Sequence, residues 1–311
     1  MYRATPDTLR AVPVLVVGVL AMSSASIMIR VTGAPALAIA TYRLILASLL
    51  VGLALVVRTG PIAPRRVLSR WTVLSGLFLT LHFATWISSL DYTTVASSVV
   101  LVQTSPVFVG LSAGKLLGEK PVPLQWLGIA LAIVGGAAIV GTDFSASSEA
   151  LKGDLLALAG AVGGAGYWVC GRAARRDMDT PHYVVGAYSV SAAALLVLSL
   201  LTGTPLTGFP LRDYVLMTLI AIVPQGIGHT AFNWSLRQFS ATAVSVFALG
   251  EPVGAGLLAY VLLAEAITPE RGLGALVVLT GVFLTIRAEP ARSSVESARA
   301  SRRPAPGRMD I

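Results

Sequence analysis

Charge is scarce in this sequence: Asp, Glu, Lys and Arg make up 12% of its 311 residues, against 55% hydrophobic ones. That is roughly half the charged share of an ordinary soluble domain. The polar faces that helices of a water-soluble globule turn to solvent are missing from the apolar segments, so a soluble fold is excluded. Cysteine is nearly absent as well. Cys170 stands alone and can form neither an internal disulfide nor a cysteine metal site. A phosphate loop is also lacking, because Gly110 to Gly114-Lys115 falls one residue short of the Walker spacing and continues with Leu116 rather than Ser or Thr. The glycines between Gly160 and Gly166 lie inside an apolar run, where small residues let helices approach closely. ATP-driven chemistry therefore has no support in the chain.

What the sequence does contain is apolar runs of membrane-spanning length, about 20 residues each. Uncharged runs cover 11–29, 71–90, 92–114, 121–142 and 214–236; the runs 31–57 and 237–264 each carry one charge well inside, Arg43 and Glu251; shorter runs cover 155–171, 182–201 and 272–286. The total is ten. Basic residues alternate between the connecting segments as the positive-inside rule requires. Most of them, including Arg58, Arg65, Arg66, Arg70, Lys115, Lys120, Arg172, Arg175 and Arg176, fall on the side of the two ends, whereas Arg30, Lys152, Arg212 and Arg271 fall on the other. Both termini are predicted to be cytoplasmic in a multi-pass protein of the cytoplasmic (inner) membrane. The segment 289–311 is basic and rich in Ser, Ala and Pro without apolar periodicity, and reads as a disordered cytoplasmic tail. Such a tail follows from topology, so the expected surroundings are a lipid bilayer and not nucleic acid.

The chain also repeats itself. Shifted by 146 residues, Arg30 meets Arg176, Pro35 Pro181, Tyr42 Tyr188, Pro64 Pro210, Pro106 Pro252, Glu119 Glu265, Pro123 Pro269, Gly128 Gly274 and Gly135 Gly281. One offset over almost the whole length indicates duplication. It divides the chain into a five-helix unit at 1–146, a second at 147–288 and the tail. The first run follows Arg3 and Arg10 and resembles a cleaved secretory leader, but its pairing with the second unit implies that it stays. Five crossings is an odd number, so the fold class is all-α, with ten transmembrane helices arranged as two inverted five-helix repeats, an architecture that recurs in secondary transporters.

At the ends of the fourth and ninth runs the sequence reads SPVFVGLSAGKLLGEKPVPLQWLGIALAIVGG and EPVGAGLLAYVLLAEAITPERGLGALVVLTGV. These segments resemble the EamA-type units of the drug/metabolite transporter superfamily. The positions that carry the resemblance are Pro106 and Pro252, Glu119 and Glu265, and the paired glycines; Ala264 stands where the first unit has Gly118. The resemblance implies a transporter and no enzyme, with runs 1, 3, 4, 6, 8 and 9 around a central path and runs 5 and 10 peripheral.

The residues themselves nominate a polar centre. A carboxylate inside a spanning helix costs at least about 2.5 kcal/mol unless it faces a cavity or a partner, which makes Glu251 the first candidate. Its repeat partner is Ser105, and Pro252 beside it removes a backbone donor. His82 and Trp86 lie one turn apart on the third run, and His229 and Asn233 one turn apart on its counterpart, the eighth. An imidazole could relay a proton, and Trp86 could stack on an organic substrate; either histidine could equally serve only to bond a neighbouring helix. Gln103 and Gln225 suit a zwitterionic or hydroxylated substrate or interhelical bonding. Trp168 joins the list through the family's use of the sixth run. Arg43 could counter an anionic substrate or Glu251, or snorkel if its helix is displaced in depth; structural pairing is the favoured role, and Glu251 could equally be an acid paired structurally with Arg43 or a histidine. Glu119 and Glu265 are expected to organise the turns into the fifth and tenth runs, with Thr268 as N-cap ahead of Pro269.

The expected function is secondary transport of a small-molecule substrate, amino acids or similar metabolites, by alternating access and toward export. No cofactor is required, though protons are candidate coupling ions through Glu251 or a histidine, and a homodimer is compatible with this. A membrane enzyme acting on lipid or isoprenoid groups would need clustered acids, histidines or cysteines, which the sequence disperses. A non-transporting sensor would need no aqueous cavity between the halves.

Overall fold

The computed structural model describes residues 6–140, 147–263 and 267–289. Ten helices among them are long and apolar enough to cross a membrane: α1 (Pro6–Val31), α2 (Ala36–Thr59), α3 (Arg70–Ser89), α4 (Val95–Val102 and Ser105–Leu116), α5 (Pro123–Val140), α6 (Ser148–Ala174), α7 (Thr180–Leu201), α8 (Leu211–Ser235), α9 (Ala241–Ala248 and Glu251–Leu263) and α10 (Pro269–Arg287). The all-α fold of ten spans is as the sequence predicts. Glu265 and residues 290–311 lie outside the described residues.

Polar residues just outside the apolar runs start the helices. Ser69, Thr94, Ser147, Asp179, Ser240 and Thr268 each accept a backbone N–H from the first turn of α3, α4, α6, α7, α9 and α10, satisfying donors that would otherwise be orphaned at a helix start. Thr268 takes the predicted role. The cap at Ser147 sets the start of α6 at Ser148, ahead of the apolar run that begins at 155, with Lys152 and Asp154 in its first turns.

Three spans depart from plain helix. Both α4 and α9 are interrupted, at Gln103–Thr104 and at Leu249–Gly250, each two or three residues before Pro106 and Pro252. Proline offers no N–H to the carbonyl four residues earlier, and at both breaks the amides bond three residues back instead: Thr104 to Leu101, Gly250 to Phe247. The middle of α8, Ala221–His229, is a π-helix containing Pro224, a local widening that often accompanies functional sites.

The halves pack on each other as a two-fold relation demands. The contact of α3 with α6 is matched by that of α8 with α1; α4 against α6 by α9 against α1; α3 against α7 by α8 against α2; and α2–α7, α4–α9 and α5–α10 are each related to themselves. At the α5–α10 crossing the duplicated glycines meet reciprocally. A Cβ on Gly281 would lie 2.5 Å from the Gly128 carbonyl oxygen, and one on Gly128 2.6 Å from that of Gly281; Gly135 and Gly274 do the same at 2.7 and 2.9 Å. Two helices run antiparallel at backbone contact because four small residues permit it.

Gly281→Ala should therefore overpack the crossing and lower stability by about 1–3 kcal/mol, read as a fall in melting temperature in detergent. Gly52→Ala, at a helix position with no atom within 4 Å of the added methyl, should be neutral or stabilising. Equal melting of the two variants would contradict the packing described.

Candidate functional site

Between the halves lies a cavity of about 80 Å³, room for a few water molecules. Helices α1, α2, α3, α4, α6, α8 and α9 wall it. This is the set implied by the family resemblance with α2 added, and α5 and α10 stay outside it.

The interruption of α4 and α9 shapes the cavity. Ser105 and Glu251, related by the duplication, each open the second half of their helix and both line the cavity, as do Val102 and Ala248, whose carbonyls lose a donor to Pro106 and Pro252. Glu251 thus sits at a helix break and not in an unbroken helix. Ser23 of α1 donates to the backbone oxygen of Glu251 at 2.9 Å, which ties the start of that half-helix to the first half, and Glu251 lines the cavity.

Aromatic rings form part of the wall. His82 and Trp86 stack at 5.7 Å, and His229 stacks on Trp168 at 5.9 Å. Phe83 and His229, repeat partners, meet edge to face at 5.5 Å, so the pseudo-two-fold axis passes between them. Nδ1 of His82 donates to the Gly160 carbonyl at 2.8 Å, leaving Nε2 to accept when the ring is neutral.

Unpartnered polar atoms gather here. Nη1 of Arg43, Nε1 of Trp86, Oε1 of Gln103, Oγ of Ser105 and Nδ1 of His229 are buried without a hydrogen-bond partner from the protein, and all five residues line the cavity. Buried polar atoms left unpaired cost about 1–3 kcal/mol each. Their concentration leaves this one cavity lined with unused donors and acceptors.

Two candidates from the sequence lie behind this wall. Gln225 accepts from Nε of Arg43 at 2.7 Å, and Asn233 exchanges hydrogen bonds with the Tyr167 hydroxyl at 2.7 and 2.9 Å; they support lining residues and do not line the cavity themselves. Arg43 differs from expectation more sharply. Among the described residues Arg43 has no ion pair within 4.0 Å: the charge of Glu251 reaches it from farther off, and its hydrogen-bond partner is Gln225. Charge and apolar surroundings alone could not say that its partner would be an amide.

At the end of the bundle that carries both termini, Glu119 does more than organise a turn. Its carboxylate accepts from Arg172 (2.9 Å) and Arg176 (3.5 Å) at the end of α6 and from the backbone N–H of Ala241 at the start of α9 (3.4 Å), tying the first half to the second. Glu289 begins the segment read as a tail, yet it is buried and accepts from the Ser240 backbone, the Ser240 hydroxyl (2.8 Å) and Gln125 (3.1 Å). Nothing in the sequence around it signals this. At the other end Asp154 of α6 accepts from Thr93 (2.8 Å) and Ser97 (2.6 Å) beside the start of α4.

Known proteins agree with this architecture. The model of the EamA-like transporter family matches residues 9–141 and again 151–287. An uncharacterized transporter of Archaeoglobus fulgidus is 29% identical over 223 residues, 70% of this chain and 76% of its own. A second from that organism is 23% identical over 68% and 74%, and one from Synechocystis is 24% identical over 67% and 64%. A solved crystal structure superposes with a TM-score of 0.76 at 20% identity, over 89% of this chain and 96% of its own, a likeness of fold.

Burial pushes the Glu289 carboxyl up to about 7, against the hydrogen bonds from Ser240 and the charge of Arg172. A carboxyl raised on folding stabilises the protein fully below its ordinary value of 4.5 and loses that contribution as pH rises through about 7. Melting temperature should fall between pH 5 and 8, and Glu289→Gln should flatten the fall by on the order of 3 kcal/mol. An unchanged pH profile in the variant would contradict the assignment.

Proposed function

Because the chain belongs to the EamA-like transporter family, we propose that it exports small polar metabolites, amino acids or related compounds, across the cytoplasmic membrane by alternating access. The observation that carries this reading is the set of unpartnered polar atoms around one cavity at the seam of the two halves. A site placed between inverted halves is exposed to one side or the other as they rock. Each end of the bundle has a polar tie between the halves that such rocking would break in turn: Glu119 with Arg172 and Arg176 at one end, Asp154 with Thr93 and Ser97 at the other. The distribution of arginines favours the first end as the cytoplasmic one. Glu251 is the group we assign to proton coupling, since it is the cavity's carboxyl and sits where α9 is interrupted.

The test is flux from proteoliposomes loaded with an amino-acid panel under an imposed pH gradient. Wild type should move at least one member of the panel, and Glu251→Gln should lose the acceleration by the gradient roughly tenfold or more. Equal gradient-driven flux from both would remove Glu251 from the mechanism. A wild type that moves nothing in the panel would contradict the substrate class.

A further inference from the structure

Arg43 is 1% exposed at the level of the cavity, and what surrounds it is arranged for a cation with one side left over. Nε donates to Oε1 of Gln225 at 2.7 Å. The guanidinium carbon lies 4.1 Å from the centre of the Phe83 ring, so an aromatic face covers one side of the plane, a favourable setting for a cation. Tyr188 donates to the backbone oxygen of Gln225 at 3.2 Å, which steadies the residue that steadies Arg43. None of these partners carries negative charge, and no ion pair to Arg43 within 4.0 Å occurs among the described residues. Nη1 is buried, unpartnered and part of the cavity wall.

A guanidinium keeps its charge under all conditions a protein meets, and a buried charge without a counter-charge is costly. Snorkelling to water, the usual escape for an arginine in a spanning helix, is not what this side chain does. Glu251, across the same cavity, is the acid whose charge reaches Arg43, but it stays beyond ion-pair distance, so Nη1 is left for a group that enters the cavity, and a carboxylate is the natural partner of a guanidinium N–H. We propose that Arg43 is the anion-binding residue of the cavity and that it selects substrates bearing a carboxylate. The duplication places Ser189 at the equivalent position of the second half, so the anion site exists on one side of the pseudo-axis only and fixes which way round a substrate lies. Glu251, also on the cavity, disfavours a second negative group and suits an ammonium at the far end of the same molecule. Gln225 acts through Arg43 as a positioning residue. The inference rests on the cavity being the transport site and adds to it which atom of the protein recognises which group of the substrate.

Purified protein is melted in the presence of a panel of amino acids, each compared with its amide and its decarboxylated amine, and the same compounds are then tested for flux. A ligand that binds the folded state raises the melting temperature in proportion to its affinity. At least one acid should stabilise wild type, with its amide and amine binding about tenfold or more weakly, as expected for loss of a hydrogen bond to a charged group. Arg43→Gln should reduce the acid to the level of its amide, and Gln225→Leu should weaken the acid selectively. Should Arg43→Gln fail to fold, the wild-type comparison decides by itself: amides and amines binding as well as every acid, or no acid stabilising, overturns the proposal. Acids that bind selectively through Arg43 but are not moved would overturn the transport reading and uphold this one. Compounds moved with no preference for the acid would do the reverse.

Discussion

The bilayer core offers a polar group no partner, and this single constraint sorts the whole molecule. Backbone groups are satisfied inside helices because nothing else in hydrocarbon can satisfy them. Side chains divide by the same rule: Leu53, Leu201 and Phe283 face outward, while Arg43, Gln103, Gln225, His229 and Asn233 are buried between helices. Between two halves inserted in opposite senses there is one place where polar atoms can collect without meeting lipid, and that is the seam. Without the α3–α6 and α1–α8 contacts that close the seam, the same side chains would be exposed to lipid tails.

Much of this is legible in the residues. Ten spans can be counted because charges are excluded from them over about 20 residues at a time, and the duplication survives as Pro, Arg, Tyr and Glu matches at one offset. The cavity residues Glu251, His82, Trp86, His229 and Gln103 stand out because a polar or amphipathic side chain in a spanning helix needs a reason, whereas Trp168 is reached only through what the family resemblance implies. The rest depends on contacts between distant segments. That Gln225 would take Nε of Arg43 follows from the approach of α2 to the π-helical turn of α8, 182 residues away in sequence. That Glu289 would cap α9 follows from where α10 ends. Pro106 and Pro252 show that a donor is missing, but not that the helices would open two residues earlier, at positions where the two halves carry different residues.

Duplication supplied symmetry, and divergence then gave it direction. Phe83 and His229 descend from one position and touch each other at the axis; one is apolar, the other a hydrogen-bonding ring. Ser105 and Glu251 occupy equivalent helix breaks, one neutral and one acidic. The cavity wall thus keeps two-fold shape while its polar character differs from side to side, which a site for an unsymmetrical molecule requires.

The transport reading requires that water reach the seam between the halves and not the outer helix faces. In a chain carrying Cys170→Ala, a cysteine placed at Ser105 should react with a membrane-impermeant thiol reagent added from at least one side, and substrates should slow the reaction. A cysteine placed at Leu53 should stay unlabelled. Ser105→Cys unreactive from both sides, or as slow as Leu53→Cys, would contradict the account.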